Sequence, residues 1–376
     1  MTDQKKMYLH IGMPKTGSSS LQAFCKENQA VLEQHGYCYP IMPVSYRWIP
    51  KVRNAHFLLG NACRETDETD KTEELEKRQQ AFAYLKEVFD SFSNVILSDE
   101  GIWNSLTGKR KEALGDIKNF CDSNDIELKV IVYLRRQDSY LESYWKQKIR
   151  RRGATWQWKR IMRHTPDYIA LDYYEHLCRI AGQVGEDNLV VRRYERGCFA
   201  GSDGTIFSDF LEAIGLELTE EYASVSEQRN VSLNNNYAEI KRIMNSLLPE
   251  EPKARAREGE WLEQIAVECC QSLKTPYEST MYSAKEQKDF MERYREDNAR
   301  IAREFMGEET LFAEESVSLP QWKRDNKRQY EDTLLFLGRA ILEQRRELEA
   351  LKRELRSGSN QSIAKRIYQK LTHIIF

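Results

Sequence analysis

The stretch Tyr8-Leu9-His10-Ile11-Gly12-Met13-Pro14-Lys15-Thr16-Gly17-Ser18-Ser19-Ser20-Leu21 decides the fold of this chain. Lys6 to Ile11 predicts a buried strand, Gly12 to Gly17 a tight turn, and Ser18 the start of a helix. Gly12 and Gly17 bracket four residues, the spacing of a phosphate-binding loop. In the nucleoside-triphosphate version a lysine follows the second glycine directly. Here that place is Ser18, and the lysine sits inside the turn as Lys15. Backbone amides and the positive end of the helix still suit an anion. The lysine is not placed to reach the outer phosphate of a triphosphate. Three serines add hydroxyl donors at the helix mouth, which suits a donor whose reactive group sits on a 5'-phosphate. Taken alone, the loop also reads as an ordinary strand-turn-helix with a serine N-cap.

A second motif lies further along. Glu127 to Leu134 predicts a strand, and it runs straight into Arg135-Arg136-Gln137-Asp138-Ser139-Tyr140-Leu141-Glu142-Ser143-Tyr144. Arginine offers phosphate a forked and permanent charge. Ser139 with Glu142 reads as a capping box, which leaves the tandem arginines unexplained.

Together these residues resemble the PAPS-dependent sulfotransferases, of the bacterial, carbohydrate-modifying type (PAPS is 3'-phosphoadenosine 5'-phosphosulfate). Pro14-Lys15-Thr16-Gly17-Ser18-Ser19-Ser20 is similar to their 5'-phosphosulfate loop. In that family a strand ends in an arginine and a serine follows eight positions later on the next helix. Arg135 and Ser143 have that spacing, and the resemblance implies that they bind the 3'-phosphate. Arg136 is seven positions from Ser143 and competes for the role. The family usually has proline after its Arg-Asp or Arg-Asn pair, where this chain has Gln137. Tyr194-Glu195 resembles the pair that ends the last core strand. Gln228-Arg229-Asn230-Val231-Ser232-Leu233 resembles the Asn-x-Ser-Leu segment near the nucleotide, which makes Arg229 a further nucleotide-site candidate. The likeness covers roughly the first two-thirds of the chain, in separate motifs.

Asn94 to Ser98 predicts a short central strand followed at once by Asp99-Glu100-Gly101. A carboxylate at the carboxyl end of such a strand projects into the ligand crevice. Sulfuryl transfer to an alcohol needs a base within reach of the hydroxyl proton. Sulfotransferases use a glutamate or a histidine for this, and the Ser-Asp-Glu context resembles the glutamate users. Glu100 is therefore the expected base, with Asp99 the close competitor. Both acids also read as helix caps. His56, in the loop from Ile41 to Leu59, is a substrate contact, a second candidate base or a surface histidine.

Composition sets the bounds. The 376 residues suffice for one large α/β domain with an accessory segment. A hydrophobic fraction of 40% supports a core, and 31% charged residues predict a solvated, helix-rich surface. Net charge is -2, so anion binding must come from local clusters. Eight cysteines without metal-ligand spacing read as reduced thiols. With a polar N-terminus that enters the first strand directly, they predict a cytoplasmic protein. Lys146 to His164 is strongly basic and contains Trp156 and Trp158. It reads either as a surface for an acidic glycan or as a solvated helix face, and nucleic acid is not the expected partner. Leu334, Leu337, Ile341, Leu348, Leu351 and Leu355 keep alternating three- and four-residue steps, with Gln344 at the polar seam position. About three heptads predict a short coiled coil that joins two subunits or folds back on its own chain. The tail from Ile363 to Phe376 suits packing, a partner or a peripheral membrane contact.

The expected architecture is α/β: a P-loop-like three-layer sandwich on a parallel sheet of about five strands. Residues 1–320 would form that domain, completed by helices over 236–320, with a helical extension over 321–376. The expected activity is sulfuryl transfer from PAPS to a hydroxyl or amine of a carbohydrate, without a metal. Lys15, Thr16, Gly17, Ser18, Ser19 and Ser20 would hold the phosphosulfate. Two rivals stay open: a P-loop phosphotransferase, and a non-catalytic coiled-coil scaffold with a degenerate nucleotide site.

Overall fold

The structure, a computed structural model, describes residues 4–63, 71–106, 108, 110–195, 197–201, 203–224, 232–273, 278–313 and 319–356. Strands β1 (Lys5–His10), β2 (Tyr37–Cys38), β3 (Asn94–Ser98), β4 (Ile126–Leu134) and β5 (Leu189–Arg193) form one sheet. All neighbours pair in parallel, in the order β2-β3-β1-β4-β5. The last four residues of β1 and the last five of β4 are buried without interruption, as expected for strands covered on both faces.

The helices, in chain order, are α1 (Ser18–Glu27), α2 (Gln29–Gln34), α3 (Lys71–Ser91), α4 (Gly101–Ser105), α5 (Ala113–Asp122), α6 (Gln137–Arg152) and α7 (Trp158–Arg163). They continue as α8 (Tyr173–Val184), α9 (Ile206–Ala213), α10 (Asn235–Met244), α11 (Pro252–Ser272), α12 (Ala284–Glu292), α13 (Arg295–Ile301) and α14 (Lys327–Arg356). Side chains alternate across a strand, so each strand feeds both faces of the sheet. Tyr8, Ile96, Ile131 and Tyr133 pack with Leu21 and Phe24 of α1 and with Ile206 and Phe210 of α9. The alternate set meets α3, α5 and α8 on the other face, where Cys121 Sγ lies 3.7 Å from Met7 Sδ.

This is the three-layer α/β arrangement expected from the sequence, with a helical C-terminal region. Chain order reverses about β1. The chain leaves β1 for β2 on one side, and reaches β4 on the other only after β3. In such a sheet the ligand crevice lies at the carboxyl ends of the strands beside the reversal.

The single helix expected over Ser18 to Gln34 is two helices. Asn28 interrupts it, because its buried amide donates to the Phe24 and Ala223 carbonyls at 3.0 and 3.2 Å. Side chains that compete for backbone groups disfavour an uninterrupted helix.

Two compact units divide the chain. One comprises Met1–Tyr144, Lys159–Asn230 and Ser283–Ser318 and contains the sheet. The other comprises Trp145–Trp158, Val231–Tyr282 and Leu319–Phe376. Residues 236–320, expected to complete the α/β domain, are thus shared out. In the second unit, Asn236 and Tyr237 of α10 donate to Asp332 of α14 at 2.7 and 3.2 Å. In the first, Gln137 donates to Asn298 of α13 at 2.7 Å.

Within the basic segment Trp156 is half-buried and Trp158 offers no open ring face. Trp158 is buried in the second unit, edge-on to Trp145 and Tyr282 at 5.6 and 4.8 Å. Arg150 and Arg151 both pair with Glu263, at 2.8 and 3.3 Å. In the first unit Lys159 pairs with Glu286. Packing therefore takes Trp158 out of reach of a sugar. No helix among the described residues is long and apolar enough to cross a membrane.

Candidate active site

The site is built entirely in the sheet-containing unit. The loop after β1 stays in the sheet's hydrogen-bond ladder. Ile11 and Met13 donate to the Ile131 and Tyr133 carbonyls, both at 3.1 Å, and Tyr133 donates to the Gly12 carbonyl at 2.7 Å. Thr16 is buried, and its hydroxyl donates to the Met13 carbonyl at 2.6 Å, closing the turn from inside. Lys15 (φ 71°) and Gly17 (φ 76°) both adopt the left-handed region. At Gly17 no other residue fits. A Cβ there would lie 2.9 Å from Ile206 Cδ1 and 3.2 Å from Tyr194 Cε2. Gly17 caps α1 without any side-chain hydrogen bond, and its carbonyl accepts from the Ser20 and Leu21 amides at 2.9 and 3.0 Å. Ser18 is buried, Ser20 half-buried and Ser19 exposed at that mouth.

At the end of β4 the two arginines separate. Arg136 forks onto Asp138 at 2.9 and 3.1 Å and donates to the Ala313 carbonyl at 3.2 Å. Arg135 turns to the loop instead. Its Nη1 donates to the Lys15 carbonyl at 3.0 Å, and its Nε and Nη2 donate to Ser139 Oγ at 3.1 and 3.0 Å. Burial draws the Arg135 pKa down from its ordinary value. Tyr173 of α8 fixes the Arg135 carbonyl at 2.8 Å, and the Tyr194 ring lies beneath the guanidinium at 5.8 Å.

Ser139 therefore does not head a capping box. It sits inside the first turn of α6 and receives Arg135, a role not read from the sequence. Ser143 lies one turn further along the same helix face and is half-buried. Arg229 lies outside the described residues, as does the tail from Ile363 to Phe376.

On the other side of β1, the end of β3 carries the acids. Asp99 is fully buried and saturated. Arg53 forks onto it, His56 Nδ1 lies 2.8 Å from Oδ2, and the Gly101 amide donates to Oδ1 at 2.7 Å. Burial alone would raise this carboxyl. The His56 hydrogen bond and the Arg53 charge outweigh it and hold the pKa below the usual value. His56 is itself buried, with its ring edge-on to Tyr46 at 5.1 Å.

Glu100 keeps a partly open face, with its side chain 21% exposed. A Cβ on Gly12 would lie only 3.0 Å from Glu100 Cβ, so this acid abuts the loop. Gln22 of α1 donates to Glu100 Oε2 at 3.0 Å, and Arg53 Nη1 lies 3.5 Å from Oε1. Gln22 also donates to Ser98 Oγ at 3.2 Å, and Ser98 meets His10 Nδ1 at 2.9 Å. Arg53 and Gln22 are site residues that motif reading missed. The signal for Gln22 was a polar residue among the buried positions of the first helix.

The described geometry is thus a cationic loop and arginine on one side of β1 and a braced carboxylate on the other. It defines an α/β protein whose crevice can hold an anion beside a base. No profile of a known protein family matches the chain. Over 231 residues, 60% of its length, the chain is 28% identical to an uncharacterized protein from Archaeoglobus fulgidus. The match spans 58% of that relative, less than two-thirds of its length. Among solved structures, a sulfotransferase from Alicyclobacillus acidocaldarius aligns with 67% of this chain and 98% of its own, at 16% identity and a TM-score of 0.34. Neither protein assigns a role to any residue here.

Proposed function

We propose that this chain is a PAPS-dependent sulfotransferase that transfers a sulfuryl group to a hydroxyl of a carbohydrate acceptor and releases PAP, the desulfated nucleotide. One observation supports this most: Arg135 donates to the backbone carbonyl of Lys15. The two anion motifs, 120 residues apart in the chain, are in direct contact, which supports one nucleotide with phosphates at both ends of its adenosine bridging them.

Lys15 and the amides at the mouth of α1 hold the 5'-phosphosulfate. Arg135, braced by Ser139, binds the 3'-phosphate with Ser143. Glu100 accepts the proton of the attacking hydroxyl, while the bond from sulfur to the bridging oxygen breaks. Lys15 stabilises the charge that grows on that oxygen. These cations supply the positive charge, so the chemistry asks for no metal. Asp99 cannot serve as the base, because Arg53, His56 and Gly101 already occupy its oxygens. His56 has its Nδ1 on a carboxylate, the orientation that prepares an imidazole as a base, which makes it the second reading.

Thermal unfolding with added nucleotide tests the proposal. PAP raises the melting temperature and ATP with magnesium does not. The opposite result would replace the sulfotransferase by a phosphotransferase.

A further inference from the structure

Helix α14 presents an apolar seam that nothing among the described residues covers along most of its length. Tyr330, Leu334, Leu337, Ile341 and Leu348 are 41 to 70% exposed. They follow the three- and four-residue steps of a coiled coil, with Leu334, Ile341 and Leu348 at position a and Tyr330, Leu337 and Gln344 at position d. Leu335 and Leu342, also exposed, widen the stripe at position b. The opposite face is spoken for within the same unit. Phe336 and Asp332 are buried, and Arg339 pairs with Glu268 of α11 at 2.7 Å. The packed face already holds α14 as a helix, so a partner would not bear the cost of ordering it.

We propose that the seam pairs with a second copy of this chain, in parallel and in register. Two features select that occupant. Gln344 is the one polar residue of the seam between Leu334 and Leu351. In a parallel pair it meets its own counterpart, and the two amides satisfy one another. In an antiparallel pair a d residue faces an a residue, so Gln344 would be buried against Leu or Ile, with its amide unpaired. The flanking charges agree. Glu347 at position g lies opposite Lys352 at position e of the partner's following heptad, just past the exposed seam, and Lys352 would exchange its own-chain partner Glu349, 3.0 Å away, for it. Leu351 is already buried within its own chain, so the exposed seam ends near Leu348.

Sedimentation equilibrium of the full chain at about micromolar concentration gives the first test. A dimer mass is expected, and a monomer or trimer overturns the proposal. Ile341→Asp weakens the dimer at least 100-fold. Its circular dichroism stays as in the wild type, because position 341 makes no packing contact that the exposed face would lose. Orientation is read separately by Leu334→Cys under mild oxidation. Parallel registration brings the two thiols together, and a covalent dimer forms that the wild-type chain does not give. An antiparallel pair separates them by the length of the seam, so a dimer without that crosslink refutes the parallel arrangement.

Discussion

His10 gives the most sharply quantified prediction. It ends β1, fully buried, with its ring edge-on to Tyr133 and Phe210 at 5.9 and 6.1 Å. Nδ1 meets Ser98 Oγ, and Nε2 finds no partner among the described residues. Burial pushes its pKa from 6.5 down to about 4, against a smaller opposing pull from Asp99. The folded value lies below the unfolded one, so the unfolded chain binds more protons between them. Stability is complete above the unfolded value and falls as pH drops from 6.5 towards 4. Between about pH 7.5 and about pH 5 the loss from this ring alone is about 2 kcal/mol. His176 is shifted in the same direction by its own burial, so the wild-type slope is not His10's alone. His10→Asn isolates it, because an amide near the Nδ1 position can still meet Ser98 and cannot titrate. Urea unfolding of both proteins at the two pH values measures the difference. The variant should lose about 2 kcal/mol less than the wild type. Equal losses in the two proteins would refute the reasoning.

Two further predictions concern the crevice. Arg135→Ala should weaken PAP about 100-fold, ~3 kcal/mol, as measured by titration calorimetry. Arg135→Lys should recover little of it, because one ammonium cannot span both the Ser139 hydroxyl and the Lys15 carbonyl. Unchanged PAP affinity in the alanine variant would remove Arg135 from the nucleotide site. Glu100→Gln should lower turnover by roughly 10²- to 10⁴-fold with donor binding kept, and His56→Asn by less than about tenfold. The reverse ranking in single-turnover assays would make His56 the base.

The sheet was legible because its central strands are short apolar runs that end abruptly in polar residues. The loop and Arg135 stood out because their spacing is local, whereas Arg136 stayed a competitor until the structure set it on Asp138. Asp138 lies two positions after it, close enough to claim its guanidinium. The difference in surroundings between the saturated Asp99 and the partly open Glu100 could not be read. It depends on Arg53 and His56, which come from a loop more than 40 residues away and reach one acid more fully than the other. Trp158 misled for a related reason. A tryptophan among cations looks like a sugar platform until Trp145 and Tyr282 close over it. The break at Asn28 belongs with these, since one of its two carbonyl partners, Ala223, is 195 residues distant.

The bracing of Arg53 against both acids has an electrical consequence. Arg53 is set against Asp99 and Glu100, and Arg135 feels the carboxylates of Glu142 and Asp138, so the crevice cancels much of its own field. The whole chain is slightly negative. A polyanionic donor is therefore not drawn in from afar. Its capture depends on contacts made after arrival, and its association rate should change little between low and physiological salt.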